Sequence, residues 1–111
     1  MTVHRELTAG RWFELSLLEQ LANIGSEVGR ALRARESANT PRFDAAFDRA
    51  LELFDLTLSD RRWALPRLRE IARARETTVD FLFADNVYGS SADAIDRYFT
   101  QFAAAARIAR S

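Results

Sequence analysis

Apolar residues recur along the first third of the chain at helical spacing. Phe13, Leu17, Leu21, Ile24, Val28 and Ala31 follow one another at steps of 4, 4, 3, 4 and 3, which places them on one face of an amphipathic helix. A second row, Leu18, Ala22, Gly25, Gly29 and Leu32, runs beside it, and Ser16, Glu19, Gln20, Asn23, Glu27, Arg30 and Arg33 make the polar side. The pattern predicts a helix over 11–37, preceded by a flexible lead-in over 1–10. A glycine inside a helix costs about 1 kcal/mol relative to alanine, so the pair asks for a reason. Ala22, Gly25 and Gly29 leave a shallow trough that a neighbouring backbone can approach closely. A tight crossing within the monomer accounts for it most simply; an oligomer contact and a ligand groove are the other readings. Charged residues run throughout the segment, so its GxxxG spacing is not a membrane-dimer signal.

Three more periods follow. Thr40 and Pro41 read as an N-cap with proline in the first turn, and Phe43, Phe47, Ala50, Leu51, Phe54 and Leu58 carry a helix over 41–58. Ser59-Asp60 marks a turn. Pro66 opens a third helix over 66–85, on the row Leu68, Ala72, Arg75, Val79 and Leu82 with Ile71 and Phe83 alongside. Arg75 stands where the period expects an apolar residue and therefore needs a polar partner; register puts Asp48, Glu52 or Gln101 in reach. After a loop over 86–91, Ser90 with Asp93 approximates a capping box. It opens a fourth helix over 91–110 on Ile95, Tyr98, Phe99, Phe102, Ala106 and Ala109. Short connections make successive helices antiparallel neighbours. The expectation is all-α: one antiparallel up-down-up-down four-helix bundle over 11–111.

Composition narrows the chemistry. With 48% hydrophobic and 29% charged residues in 111, the chain has the make-up of one folded domain. It has no cysteine, which removes disulfides, zinc-thiolate sites and cysteine nucleophiles. The single histidine, His4, falls in the lead-in, so a nucleophilic triad lacks its base and the Arg-x4-6-His pattern of HEPN-type nucleases is absent. There is no P-loop and no GxGxxG after a strand. No cofactor, no metal and no enzymatic activity are expected. Without a signal-like start or a long apolar run, the chain reads as cytoplasmic, with no membrane partner.

Two charged stretches remain. Asp44, Asp48, Glu52 and Asp55 line one side of the second helix. Carboxylates at that spacing repel unless cations face them. A divalent ion is a weaker reading, because bundle metal sites usually add a Glu-x-x-His motif. The segment 60–75 holds six arginines, of which Arg62, Arg69 and Arg73 share a face, with Trp63 as a stacking surface. This is the candidate patch for phosphates or for a protein partner. The alternative is that its arginines pair with the acidic row. The sixteen cations, all arginine, balance sixteen carboxylates, whereas a general nucleic-acid binder is normally basic. Two tryptophans, eight phenylalanines and two small-residue troughs, the second at Ala103 to Ala106, exceed what one short bundle buries easily, which predicts a homo-oligomer.

The stretches GRWFELSLLEQLANIGSEV at 10–28, FDAAFDRALELFDLTLSD at 43–60 and DNVYGSS at 85–91 together resemble a group of small bacterial helical proteins. The resemblance covers most of the chain and brings no catalytic residues. A looser likeness, of architecture alone, is to the ribosomal S23-like four-helix proteins and to the accessory variability proteins of diversity-generating retroelements. Both form pentameric barrels, and the latter bind reverse transcriptase and RNA. No motif matches either, and the neutral charge departs from the basic accessory proteins. The leading expectation is a non-enzymatic interaction module that assembles with itself and binds a protein partner. An RNA- or DNA-binding accessory protein using the Arg62/Arg69/Arg73 face comes second. A metal-dependent hydrolase using Asp44, Asp48 and Glu52 comes third.

Overall fold

The computed structural model describes residues 10–110, so His4 and the expected lead-in, Gly10 apart, lie outside the described residues. All regular structure among the described residues is helical. Helix α1 spans Leu17–Glu36, α2 Thr40–Leu58, α3 Leu65–Leu82 and α4 Ala92–Arg110, and residues 10–12 add a helical turn ahead of α1. None of the helices among the described residues is long and apolar enough to cross a membrane.

The helix expected over 11–37 is interrupted at 13–16, because Ser16 and Glu19 close a capping box. The Ser16 hydroxyl accepts from the Glu19 amide at 3.1 Å and the Glu19 carboxylate accepts from the Ser16 amide at 3.0 Å. Two donors that would otherwise be orphaned are satisfied reciprocally. The chain ahead of the cap turns, so Trp12 enters the core while Phe13, placed in the apolar row by its spacing, is exposed. The other caps are displaced by one residue from their expected positions. Asn39, not Thr40, caps α2 by accepting from the Arg42 amide at 3.2 Å, and Ser91, not Ser90, accepts from the Ala94 amide at 3.1 Å.

Between α1 and α2, Ala38 adopts φ 54° and the Asn39 amide reaches back to the Ala34 carbonyl at 2.8 Å. That is the left-handed helix stop in which glycine is usual. Alanine there carries a steric penalty of roughly 1 kcal/mol. Ala38→Gly is therefore expected to raise stability by about 0.5 kcal/mol after glycine's unfolded-state entropy is deducted, read as a small upward shift in thermal midpoint.

Helix α1 packs along α2 and α4, and α3 leans on α2. Ile24, Val28 and Ala31 of α1 belong to one core with Ala50 and Phe54 of α2 and Ile95 and Phe99 of α4. Phe54, fully buried, meets Phe99 edge-on with ring centroids 6.1 Å apart. Helix α3 is turned slightly from its expected face. Its buried positions are Ile71, Thr78, Asp80 and Leu82, whereas Ala72 is exposed and Phe83 stands out in solvent. The expected partners of Arg75 are not the ones found: its Nε donates to Asp55 Oδ1 at 3.0 Å.

Candidate functional site: a polar clasp and an arginine groove

The arginine segment 60–75 divides into two unlike parts. Arg62 lies in the α2–α3 connection and is fully engaged. Its Nε and Nη2 donate to the two oxygens of Asp60 at 3.0 and 2.7 Å, its backbone amide donates to Asp60 Oδ1 at 3.0 Å, and Nη2 also reaches the Leu15 carbonyl at 2.6 Å. Its guanidinium covers the Trp63 ring at 4.4 Å from the centroid. The stacking surface expected of Trp63 is thus used within the chain. Arg69 and Arg73 are exposed on α3 and make no ion pair among the described residues. The geometry does not unite Arg62 with Arg69 and Arg73 as one free face.

Asp60 is the centre of a buried polar clasp. Gln20, with no exposed surface, donates from Nε2 to Asp60 Oδ2 at 3.0 Å and to the Trp12 carbonyl at 2.9 Å, and its Oε1 accepts from Trp63 Nε1 at 2.9 Å. Trp12 Nε1 in turn donates to Thr57 Oγ1 at 2.9 Å. The amide of Gln20 fits in one orientation only, since the reverse would set oxygen against carboxylate and carbonyl. The turn at 12–16 and the start of α1 are thereby tied to the end of α2 and the α2–α3 connection, far along the sequence. The ion pair and hydrogen bonds from Arg62 hold the Asp60 carboxyl at about 2, well below its usual range, against the opposing effect of burial.

The acidic row is dispersed. Asp44 and Asp48 are exposed, Glu52 is bonded to Arg49 on its own helix, and Asp55 takes Arg75. Neither Arg62, Arg69 nor Arg73 pairs with Asp44, Asp48 or Glu52. No group of three acidic or histidine side chains among the described residues is close enough to share an ion.

The trough residues part company too. A methyl group on Gly25 would lie 2.6 Å from Phe99 Cβ, so this glycine is where α4 crosses α1. At Gly29 the nearest group is the Arg33 guanidinium, 3.2 Å away and on the same helix. Ala22 is half-buried.

One cationic feature has no counterpart in the sequence pattern. A groove of about 750 Å³ between α1 and α2 is lined by Arg30 and Arg33 from one side and Arg42 and Arg49 from the other, with Ala34, Ala45 and Ala46 among the rest of its lining. Arg30 is held by Glu27 at 2.8 Å and Arg49 by Glu52. The signal was diluted in the sequence because the four arginines are spread over twenty positions and only the α1–α2 packing gathers them. A second groove, about 370 Å³, separates α3 from α4, with Tyr98, Phe99, Ile95 and Arg73 among its lining. Burial, with a smaller contribution from Glu70, raises the Tyr98 hydroxyl above its ordinary range.

A third feature is apolar. Phe43, Phe47 and Phe83 form a column of stacked rings with centroid separations of 5.6 and 5.4 Å, and its outer ring, Phe83, is 73% exposed. Val87 and Tyr88, 80% and 58% exposed, follow on a braced loop. Asp80 accepts from the Val87 and Tyr88 amides at 2.8 and 3.0 Å, Asn86 and Ser90 bond to each other twice, and Gly89 takes φ 65°. The negative charge of Glu76, and its hydrogen bond, raise the Tyr88 hydroxyl. No protein family, curated protein or solved structure matches this chain.

Proposed function

We propose that the chain is a non-enzymatic helical interaction module of the cytoplasm that assembles with itself and binds a protein partner. In this reading the four long helices alternate up and down, and the bundle's apolar surplus is covered by association. The observation that carries it is the Phe43–Phe47–Phe83 column with its bare outer ring. An aromatic side chain already held by stacking loses little freedom on docking, which is what anchors at protein interfaces require. The Val87–Tyr88 loop supports the same reading, since Asp80 holds it in shape while its side chains stay in water. An interface of roughly 800 Å² per partner would accommodate both.

The competing reading, nucleic acid held by Arg62, Trp63, Arg69 and Arg73, is weakened by the engagement of Arg62 and Trp63 in the clasp. Hydrolysis through Asp44, Asp48 and Glu52 is weakened by the dispersal of that row. Light scattering across a concentration series tests the proposal. The wild type is expected to associate, and Phe83→Ser to shift the equilibrium toward monomer with helicity unchanged. A wild type that stays monomeric throughout would contradict self-assembly.

A further inference from the structure

We infer that the groove between α1 and α2 binds the phosphate backbone of a nucleic-acid strand through Arg33 and Arg42. Among the groove's lining side chains, four are arginines and one, Glu27, is a carboxylate. Counting Glu52 beside Arg49 as well, the local balance is still positive in a chain whose formal net charge is zero. Folding has concentrated cations on a face that the α1–α2 contact alone creates.

The two pairs of arginines play different parts. Arg30 and Arg49 are each tethered by a carboxylate one turn away on the same helix, which orients them and reduces their spare charge. Arg33 and Arg42, from opposite walls, are exposed and make no ion pair among the described residues. Their guanidinium forks are free for bidentate contact with phosphate oxygens. The other helix residues of the lining include Ala34, Ala45 and Ala46, whose methyl groups add little bulk beside a thin strand backbone. Arg42 and Arg49 stand two helical turns apart, about 10 Å along the axis, so the groove's cations, the tethered pair included, extend over a length rather than gather round a point.

That spread decides the ligand class. The lining contains no aromatic ring to hold a base or a nucleoside, and five of its nine residues are exposed. A single phosphate on so open a site is poorly desolvated. A row of phosphates that displaces several counterions at once is held far better. Recognition here reads charge and shape, without sequence preference. The groove shares α2 with Phe43 and Phe47, but none of the column's rings lines it, and the exposed Phe83 and its loop lie outside it.

The test is fluorescence anisotropy with a labelled single-stranded oligonucleotide over a salt series. The wild type is expected to bind with a steep salt dependence. Arg33→Gln/Arg42→Gln is expected to lose about tenfold in affinity for each charged contact removed and to flatten the slope of log K against log salt by about 2. Its helicity and thermal midpoint should not change, since neither side chain is in an ion pair. Arg69→Gln/Arg73→Gln, on α3, is expected to bind as the wild type does. The inference is overturned if the wild type does not bind, if Arg33→Gln/Arg42→Gln binds undiminished, or if the α3 pair proves to be the one that matters. It is also overturned if polyglutamate competes as well as unlabelled oligonucleotide, which would make the groove a seat for an acidic protein segment.

Discussion

Gln20→Glu is expected to cost about 3 kcal/mol of stability at neutral pH although it changes one side-chain amide nitrogen to oxygen. Gln20 is fully buried and its Nε2 serves both Asp60 and the Trp12 carbonyl. A carboxylate in its place donates to neither and sets a second negative charge beside Asp60. One of the two carboxyls must then take up a proton or the clasp must open. The deficit against wild type is therefore expected to be largest above about pH 5 and to shrink on acidification, as proton uptake relieves the repulsion. Denaturant unfolding at a series of pH values measures both quantities. A cost below about 1 kcal/mol, or one that grows as pH falls, would mean that the clasp does not hold the fold together.

The same clasp sets the acid behaviour of the wild type. Asp60 has a folded-state pKa of about 2 against an ordinary 3.8. Its carboxylate form is the one that folding favours, so its contribution is complete above about pH 4 and is lost as pH falls through about 2. Arg62 keeps 42% of its side chain exposed, so water screens the pair and the loss is on the order of 1 kcal/mol. Arg62→Gln should remove most of this acid dependence and lower stability at pH 7, whereas Arg69→Gln and Arg73→Gln should do neither.

Gly25→Ala and Gly29→Ala are expected to move stability in opposite directions, though one helix carries both and intrinsic propensity favours alanine at each by about 1 kcal/mol. At Gly25 the new methyl meets Phe99 Cβ at 2.6 Å. That atom is fixed to the α4 backbone, so α1 and α4 must separate, and overpacking of this kind costs about 1–3 kcal/mol. The net expectation is a loss of about 2 kcal/mol, with larger side chains worse. At Gly29 the methyl meets only the end of the flexible Arg33 side chain at 3.2 Å. The guanidinium can swing aside, and the helix-propensity gain should survive in part, giving up to about 0.5 kcal/mol of added stability. Thermal unfolding of the two variants side by side decides the matter. A stabilised Gly25→Ala would show that α4 does not cross α1 there.

Local chemistry alone determined much of this protein. Helical spacing located α2 and α4 to within a residue or so, because the centres of their apolar rows, Phe47, Ala50 and Phe54 in α2 and Ile95, Phe99 and Ala106 in α4, are buried, while Phe43, Leu51 and Leu58 are half-buried and Ala109 is exposed. The loop between α3 and α4 was legible from Asn86 and Gly89, the two residues there that tolerate a positive φ. The break ahead of α1 was also written in the sequence as Ser16-x-x-Glu19. The apolar period runs on through it to Phe13, and a continuous period outweighs a cap when the chain is read without its partners. What only the tertiary structure decided is which helices touch. Gly25 and Gly29 look alike in a row of small residues, and the passage of α4 over one of them makes them opposites. Arg62 reads as one cation among six until Asp60 and the Leu15 carbonyl close around it. Arg30, Arg33, Arg42 and Arg49 form a groove only because α1 and α2 lie side by side. Period and capping act over one or two turns and are recorded locally, whereas the meeting of charges across helices depends on packing.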